Sequence, residues 1–478
     1  MSRFRQPLRD RPPAVTPSSP SIHWPKPAAA RAASAVLTPP QPAAIRVSAR
    51  QARQTGGLLL TLMGVYVFMH VAPFAEILLV ILGVNLIPTI LTGLALGGGV
   101  LFGGQLYRFW ELKVGKAWTA LLVVYMLAAL MGDYPRQSLP FIAEYAVRFH
   151  SIPFLICATA LSGQDVRRLM HWAGAGALVL LGLCLNKGVL NEDGRFIVPN
   201  TSLENPNDLA LMLLLSGAYL LLLTHGRSWQ GKVVAFVALP MVLYLVLQTG
   251  SRANFLTVIA ALVVLFVAVP KRVKLGLALL APVVGIVMVF VVPAATWQRL
   301  TLIVLHPEEE FARNPDVSHE IGSLLARQQL QERALGLTAR HPLLGVGPQM
   351  FAVGVEEMVQ AETKVKSGWQ DAHNVYLQIA AENGVGAFFL YVGAVLWCLK
   401  TNYKTFRMSL ADPRMKSFQD VSLCLLLLAV IYGFGVLFCN FLYDPALPIL
   451  LGLTAANRLA YGREAPPLLA AHKPAPAY

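Results

Sequence analysis

The sequence predicts an all-α polytopic membrane helix bundle of about 12 transmembrane helices, with a large outward loop that itself contains helices. Three observations predict it. The chain is 56% hydrophobic and only 13% charged, whereas a soluble protein carries roughly a quarter charged residues. Its apolar residues gather into runs long enough to cross a bilayer, such as Ala253 to Pro270, Leu275 to Pro293 and Val421 to Phe441. Lys and Arg concentrate in alternate connections between those runs. At this hydrophobicity only a helix satisfies every backbone N–H and C=O inside lipid, so the class is helical.

Along the chain, residues 1–55 form a Pro-, Ala-, Ser- and Arg-rich segment in which Arg3, Arg5, Arg9, Arg11, Arg31, Arg46, Arg50 and Arg53 face one acid, Asp10. Such a composition cannot bury enough apolar surface to fold, so it reads as a disordered tail held in the cytoplasm by its charge. No small-residue cleavage site follows the first apolar run, which argues against a cleaved signal peptide. Residues 56–296 hold about nine crossings, near 57–80, 86–107, 117–133, 140–162, 168–186, 207–224, 230–248, 253–270 and 274–296. Residues 297–373 are the polar loop, residues 374–460 hold three more crossings (374–400, 418–440 and 442–460), and 461–478 form a short cytoplasmic tail.

The charge pattern fixes the count. Connections Arg108–Lys116, Arg167–Arg168, His225–Lys232, Lys271–Lys274 and Lys400–Lys416 each carry at least two Lys or Arg. The alternate connections hold Asp133, then Glu192, Asp193 and Glu204, then the turn at Arg252, then 297–373, then Asp444. This is the positive-inside pattern of an inner-membrane protein with both termini cytoplasmic and the long loop periplasmic. Residues 57–107 are broken by Pro73 and Pro88; reading three crossings there would invert every later loop, so two are taken, at least one of them kinked.

A formal charge of +14 invites a nucleic-acid reading, but the basic residues sit in the tail and at helix ends, where topology demands them. No nucleic acid is therefore implied. Cys157, Cys184, Cys398, Cys424 and Cys439 all fall in or beside apolar runs, with neither metal-ligand nor disulfide spacing, and read as small buried hydrophobes.

The long loop carries the candidate chemistry. An amphipathic helix is expected from about Ser323 to Ala339, ended by His341-Pro342, with Gly345 and Gly347 permitting a tight turn. Long ordered loops on a rigid scaffold are usually functional. Three pieces share the outer side: Thr249-Gly250-Ser251-Arg252; Arg327, followed by His341-Pro342-Leu343-Leu344-Gly345-Val346-Gly347; and Asp371-Ala372-His373-Asn374-Val375-Tyr376-Leu377, followed by Glu382-Asn383-Gly384. Arg binds phosphate in bidentate fashion and stays charged near lipid. A neutral His can take a proton from a hydroxyl. His373 is expected in the first turn of a helix, two residues after a cap at Asp371; the helix end favours neutral imidazole and Asp371 favours the charged form. Glu144 and Arg148, four apart, read as a helical ion pair.

As a set, the Arg–HPLLGVG–HN-x-x-L order resembles the O-antigen ligase and O-antigen polymerase superfamily of bacterial envelope glycosyltransferases, over about 190–400. Asp193-Gly194-Arg195 with Asn205-Pro206-Asn207 is similar to that family's loop before a mid-chain crossing, and Gln331 departs from the Trp often found four residues after the loop arginine. The resemblance implies inverting, metal-independent transfer of a glycan from an undecaprenyl-pyrophosphate carrier to a glycan or lipid-A-core acceptor, with no cofactor. It implies His373 as catalytic base, Arg252 and Arg327 as pyrophosphate contacts, Arg195 as an extra one, and Asp371 and Asn374 in support. Ligase and polymerase are not separated by these motifs. A transporter of a small solute such as bicarbonate is the competing class, for which Glu76 is the main midplane candidate; a membrane scaffold would leave the arginine and histidine set unexplained.

Overall fold

The computed structural model describes residues 43–73, 105–226, 228–269, 318–364 and 371–465, with isolated helical residues between 274 and 282. The chain divides between Arg53 and Gln54. Of the first unit only residues from Ala43 are described, and they are helical, although the sequence reading placed 43–55 in the disordered tail. Residues 1–42, Glu76, most of the expected crossings at 86–107 and 274–296, and the acidic residues Glu308 to Asp316 lie outside the described residues.

In chain order the helices are α1 (Ala43–Val71), α2 (Lys113–Met131), α3 (Pro135–Thr159), α4 (Gly163–Lys187), α5 (Pro206–Thr224), α6 (Trp229–Gln248) and α7 (Arg252–Ala268). After them come α8 (Ser318–Arg340), α9 (Phe351–Thr363), α10 (Val375–Ser409), α11 (Lys416–Gly435) and α12 (Ala446–Glu464). A two-stranded hairpin, Val189–Leu190 with Phe196–Ile197, follows α4. The helix starts are written in the sequence. Ser162 and Asp165 form a reciprocal capping box on α4; Asn205 caps α5 ahead of Pro206; Ser251 caps α7; Asn374 caps α10.

Among the described residues seven helices are long and apolar enough to cross a membrane: α2 to α6, α10, and the segment Pro413–Gly435 that contains α11. Gly57–Val71 and α7 are shorter apolar helices. α12 falls where a crossing was expected but is not in that set; its last turns carry Asn457, Arg458, Arg463 and Glu464. The class is thus an all-α membrane bundle.

α11 packs against α4, α5, α7, α10 and α12, and Val421 through Ala429 are all buried. A helix apolar on every side is a core helix. All five cysteines are buried and unpaired by disulfides, as their surroundings in the sequence suggest. α2 and α3 are joined by a reciprocal bond: Trp118 Nε1 donates to the His150 carbonyl at 3.0 Å, His150 Nε2 lies 2.9 Å from the Trp118 carbonyl, and the rings stack. Glu144 and Arg148 form the expected ion pair on α3.

One end of the bundle collects the basic connections. Arg167 donates to the His225 carbonyl at 3.3 Å and lies 3.9 Å from Asp420, one turn into α11, so the connections around 167–168, 225–232 and 400–416 meet there. The hairpin after α4 lies at the other end of that helix, about 36 Å away at 1.5 Å per residue over 24 steps.

α8 begins earlier than expected and ends at Arg340, immediately before His341-Pro342. The turn that follows docks onto α10. Val346 N–H donates to Ala381 O (3.0 Å), Gly347 N–H to Glu382 O (2.9 Å), and Val385 N–H to Pro342 O (2.9 Å). α10 opens to receive it at Gly384, whose φ 81° and ψ 170° fall in a region open essentially to glycine alone. A Cβ on Gly384 would meet the Leu343 carbonyl oxygen at 2.1 Å, and one on Gly345 would meet the Glu382 carbonyl carbon at 2.2 Å. The buried Glu382 carboxylate closes the joint, accepting from Gln349 N–H (2.9 Å), Phe351 N–H (3.2 Å), Gln378 Nε2 (3.0 Å) and Tyr443 OH (2.7 Å). α9, for which the sequence reading made no provision, packs Phe351, Val355 and Met358 under α8.

Gly384→Ala combines a forbidden backbone conformation with that clash, and should destabilise the protein by about 1–3 kcal/mol or more. Gly393→Ala on the same helix meets nothing within 4 Å and should be neutral or slightly stabilising. Thermal unfolding of both variants in detergent checks this: a large fall in Tm for the first and none for the second.

Candidate active site

The site forms where four chain segments converge: the hairpin after α4, the start of α5, the middle of α8, and the residues entering α10. Between them lies a cavity of about 500 Å³ lined by Arg195, Glu204, Asn205, Pro206, Asn207, Ala326, Arg327, Leu330 and His373.

Arg195 is set by the hairpin. Asn191 and Gly194 make the tight turn: Gly194 has φ 68° and Asn191 Oδ1 accepts the Arg195 N–H at 2.8 Å. The guanidinium then donates to Thr249 O (2.9 Å, from Nε) and to Asn207 Oδ1 (3.2 Å, from an Nη). Asn207 is buried and holds the corner together: its Oδ1 also accepts from Ser251 Oγ (2.8 Å), and its carbonyl accepts from Asn254 Nδ2 (2.9 Å). The Thr249–Arg252 motif is thereby tied to the wall. Arg252 itself opens α7 beside Ser251 and is half-buried; the cavity lining does not include it.

His373 differs from its expected place. The cap of α10 is Asn374, whose Oδ1 accepts from Tyr376 N–H (3.0 Å) and Leu377 N–H (3.2 Å), so the helix begins at Val375 and His373 lies just outside it. Asp371 is not the cap: its carboxylate accepts a hydrogen bond from the Asn440 side chain instead. His373 has φ 47°, a left-handed conformation that costs a non-glycine residue about 1–3 kcal/mol. The imidazole lines the same cavity as Arg327.

The electrostatics follow from that placement. Burial, then the positive charge of Arg327, push the His373 pKa below its ordinary 6.5, and Asp371 only partly offsets them. The imidazole is therefore neutral at pH 7. Its Nδ1 is buried with no hydrogen-bond partner among the described residues. Asp371 is raised by burial and lowered again by His373 and Asn440.

The sequence reading missed Asp208 and Asn440. Asp208, in the first turn of α5, interacts electrostatically with Arg327 and Asp371 and accepts from the Asn440 backbone N–H. A carboxylate at the mouth of the apolar run 209–223, and an amide at the end of the run 421–441, were the available signals.

A neutral imidazole that shares a cavity lining with two guanidiniums can accept a proton while the guanidiniums bind an anion. Replacing Arg327 by Gln should raise the His373 pKa, because a positive neighbour that opposes the imidazolium is removed; Asp371→Asn should lower it. Histidine-ring ¹⁵N NMR titration of the three proteins checks both signs.

Residues 236–392, about a third of the chain, match the family model described as O-antigen ligase. The segment contains Arg252, Arg327, Asp371, His373, Asn374 and the glycine joint, while Arg195 and Asn207 precede it. No curated protein matches the chain significantly. The match supports assignment to the O-antigen ligase and polymerase superfamily, whose function is glycosyl transfer at a membrane.

Proposed function

We propose, from this superfamily assignment, that the protein transfers a glycan from an undecaprenyl-pyrophosphate carrier to an acceptor sugar, as an O-antigen ligase or an O-antigen or exopolysaccharide polymerase. The observation that carries the reading is the neutral His373 imidazole sharing a cavity of about 500 Å³ with Arg195 and Arg327.

In this reading the acceptor hydroxyl gives its proton to His373 as its oxygen bonds to the anomeric carbon. The bond from that carbon to the diphosphate oxygen breaks on the opposite face, so configuration inverts and undecaprenyl diphosphate leaves. A base of this kind contributes typically 10²–10⁴-fold. The leaving diphosphate gathers negative charge, and Arg195 and Arg327 supply fixed positive charge aimed at it, the larger share of the task. Arg252 belongs to the same corner through Ser251 and Asn207 and is assigned a further diphosphate contact. Asn374 fixes the helix start behind His373, and Asp371, held by Asn440, tunes the imidazole. No metal or cofactor is required for these steps.

The clustering of basic connections at one end, with the cavity at the other end of α4, supports a bacterial inner-membrane arrangement of about twelve crossings, with both termini cytoplasmic and a periplasmic site. The family match gives no support to a transporter.

The test is transfer by purified protein in detergent, with undecaprenyl-pyrophosphate glycan and acceptor. His373→Ala should lose about 10²–10⁴ in rate while still inserting, and EDTA should change little. Full activity in His373→Ala removes the base; full activity of an Arg195→Ala, Arg327→Ala double variant removes the clamp. The wild-type rate should fall on acidification along a limb below pH 6.5, as the imidazole protonates. That limb should move to higher pH in Arg327→Gln.

A further inference from the structure

We propose that the groove between α1 and α4, at the basic end of the bundle, is a binding site for the headgroup of an anionic phospholipid. The groove holds about 450 Å³, with Gly57, Leu60 and Thr61 on one wall and Arg168, His171 and Trp172 on the other. It is separate from the His373 cavity: at 1.5 Å per residue, about 24 Å of α4 lies between His171 and Lys187, beyond which the hairpin begins.

The three polar side chains share one face of α4, since residues three and four apart on a helix are neighbours. Arg168 and His171 are exposed and Trp172 is half-buried. Arg168 is held only loosely: its nearest acid, Asp165, is 3.7 Å away. The other oxygen of that carboxylate accepts from Leu161 N–H (3.2 Å), Ser162 N–H (3.0 Å) and Ser162 Oγ (2.8 Å). An exposed pair at that distance neutralises little of the charge. The guanidinium thus presents donors to the groove, beside the exposed His171 ring. This is a donor set for phosphate oxygens, with no carboxylate lining the groove among the described residues.

The floor suits a glycerophospholipid rather than a free anion. Gly57 leaves the groove open, as a Cβ there would meet nothing within 4 Å. Trp172 lies over Gly64, which has no side chain to displace it, and indole rings favour the headgroup level of a bilayer. Below the polar face, Ala175 and the exposed Leu178 continue the same side of α4 as a track for an acyl chain. Arg167 next door, and the other basic connections gathered at this end, favour an anionic over a zwitterionic lipid. This inference rests on the membrane fold and is independent of the transfer reaction.

Native mass spectrometry of the full chain in neutral detergent tests it, with phosphatidylglycerol or phosphatidylcholine of identical chains added. Wild type should retain one phosphatidylglycerol at least about tenfold better than phosphatidylcholine. Arg168→Gln with His171→Gln should lose that preference. Gly57→Leu, for which the backbone has room, should block the groove and lose retention without altering charge. Unchanged retention in both variants overturns the proposal. So does equal retention of the two lipids, or displacement of the lipid by inorganic phosphate, which would mark a free-anion site.

Discussion

The docking of the glycine turn onto the opened backbone of α10 is the constraint on which the rest of the site depends. α8 carries Arg327 and ends at the turn; α10 begins at Asn374, next to His373, and receives the turn at Ala381–Val385. Three backbone hydrogen bonds and four donors to the Glu382 carboxylate therefore fix where one helix lies against the other. Roughly 20 Å of α8 and 12 Å of α10 separate the joint from the two functional groups, at 1.5 Å per residue. Rigid helices transmit the fixed joint to the cavity. Tyr443, which donates to Glu382, extends the same joint to the segment before α12.

A second network holds the opposite wall. Asn207 ties together the hairpin through Arg195, the start of α7 through Ser251, and Asn254 within it. The site is thus a cavity between two pre-set polar corners, one closed by the buried Glu382 carboxylate and its four donors, the other by Asn207, Ser251, Asn254 and backbone groups. Arg195 and Arg327 line the cavity together with the exposed Glu204, and burial first, then the charge of Arg327, favours the unprotonated His373 imidazole. That is the state a proton acceptor needs at neutral pH.

The apolar segments were legible because their length and composition leave lipid or core as the only solutions. Helices 206–224, 229–248 and 252–268 begin within one residue of their expected positions, and the structure caps them with Asn205, Ser228 and Ser251. The glycine turn was legible as a turn, but not as a joint, because its partner lies nearly forty residues away. At the start of α10 the expected cap is Asp371, and the cap formed is Asn374, three residues on. Local propensity does not choose between them; a tertiary contact does, since Asn440 takes up Asp371. The left-handed backbone at His373 goes with that choice. Arg195 reached the cavity lining and Arg252 did not because a two-strand hairpin folds Arg195 back over Thr249, a closure no spacing along the chain reveals. Asp208 and Asn440 were passed over because polar residues at the ends of apolar runs read as boundaries.

The central claim is that the cavity binds the diphosphate of a polyprenyl carrier through Arg195 and Arg327, with His373 acting on the acceptor instead. Equilibrium binding of undecaprenyl diphosphate to detergent-solubilised protein tests it apart from turnover. The account predicts that Arg195→Gln with Arg327→Gln weakens binding by about 100-fold or more, as expected for two charge-assisted contacts, while His373→Ala binds nearly as wild type does. Unchanged affinity in the double arginine variant, or loss of binding in His373→Ala alone, would contradict it.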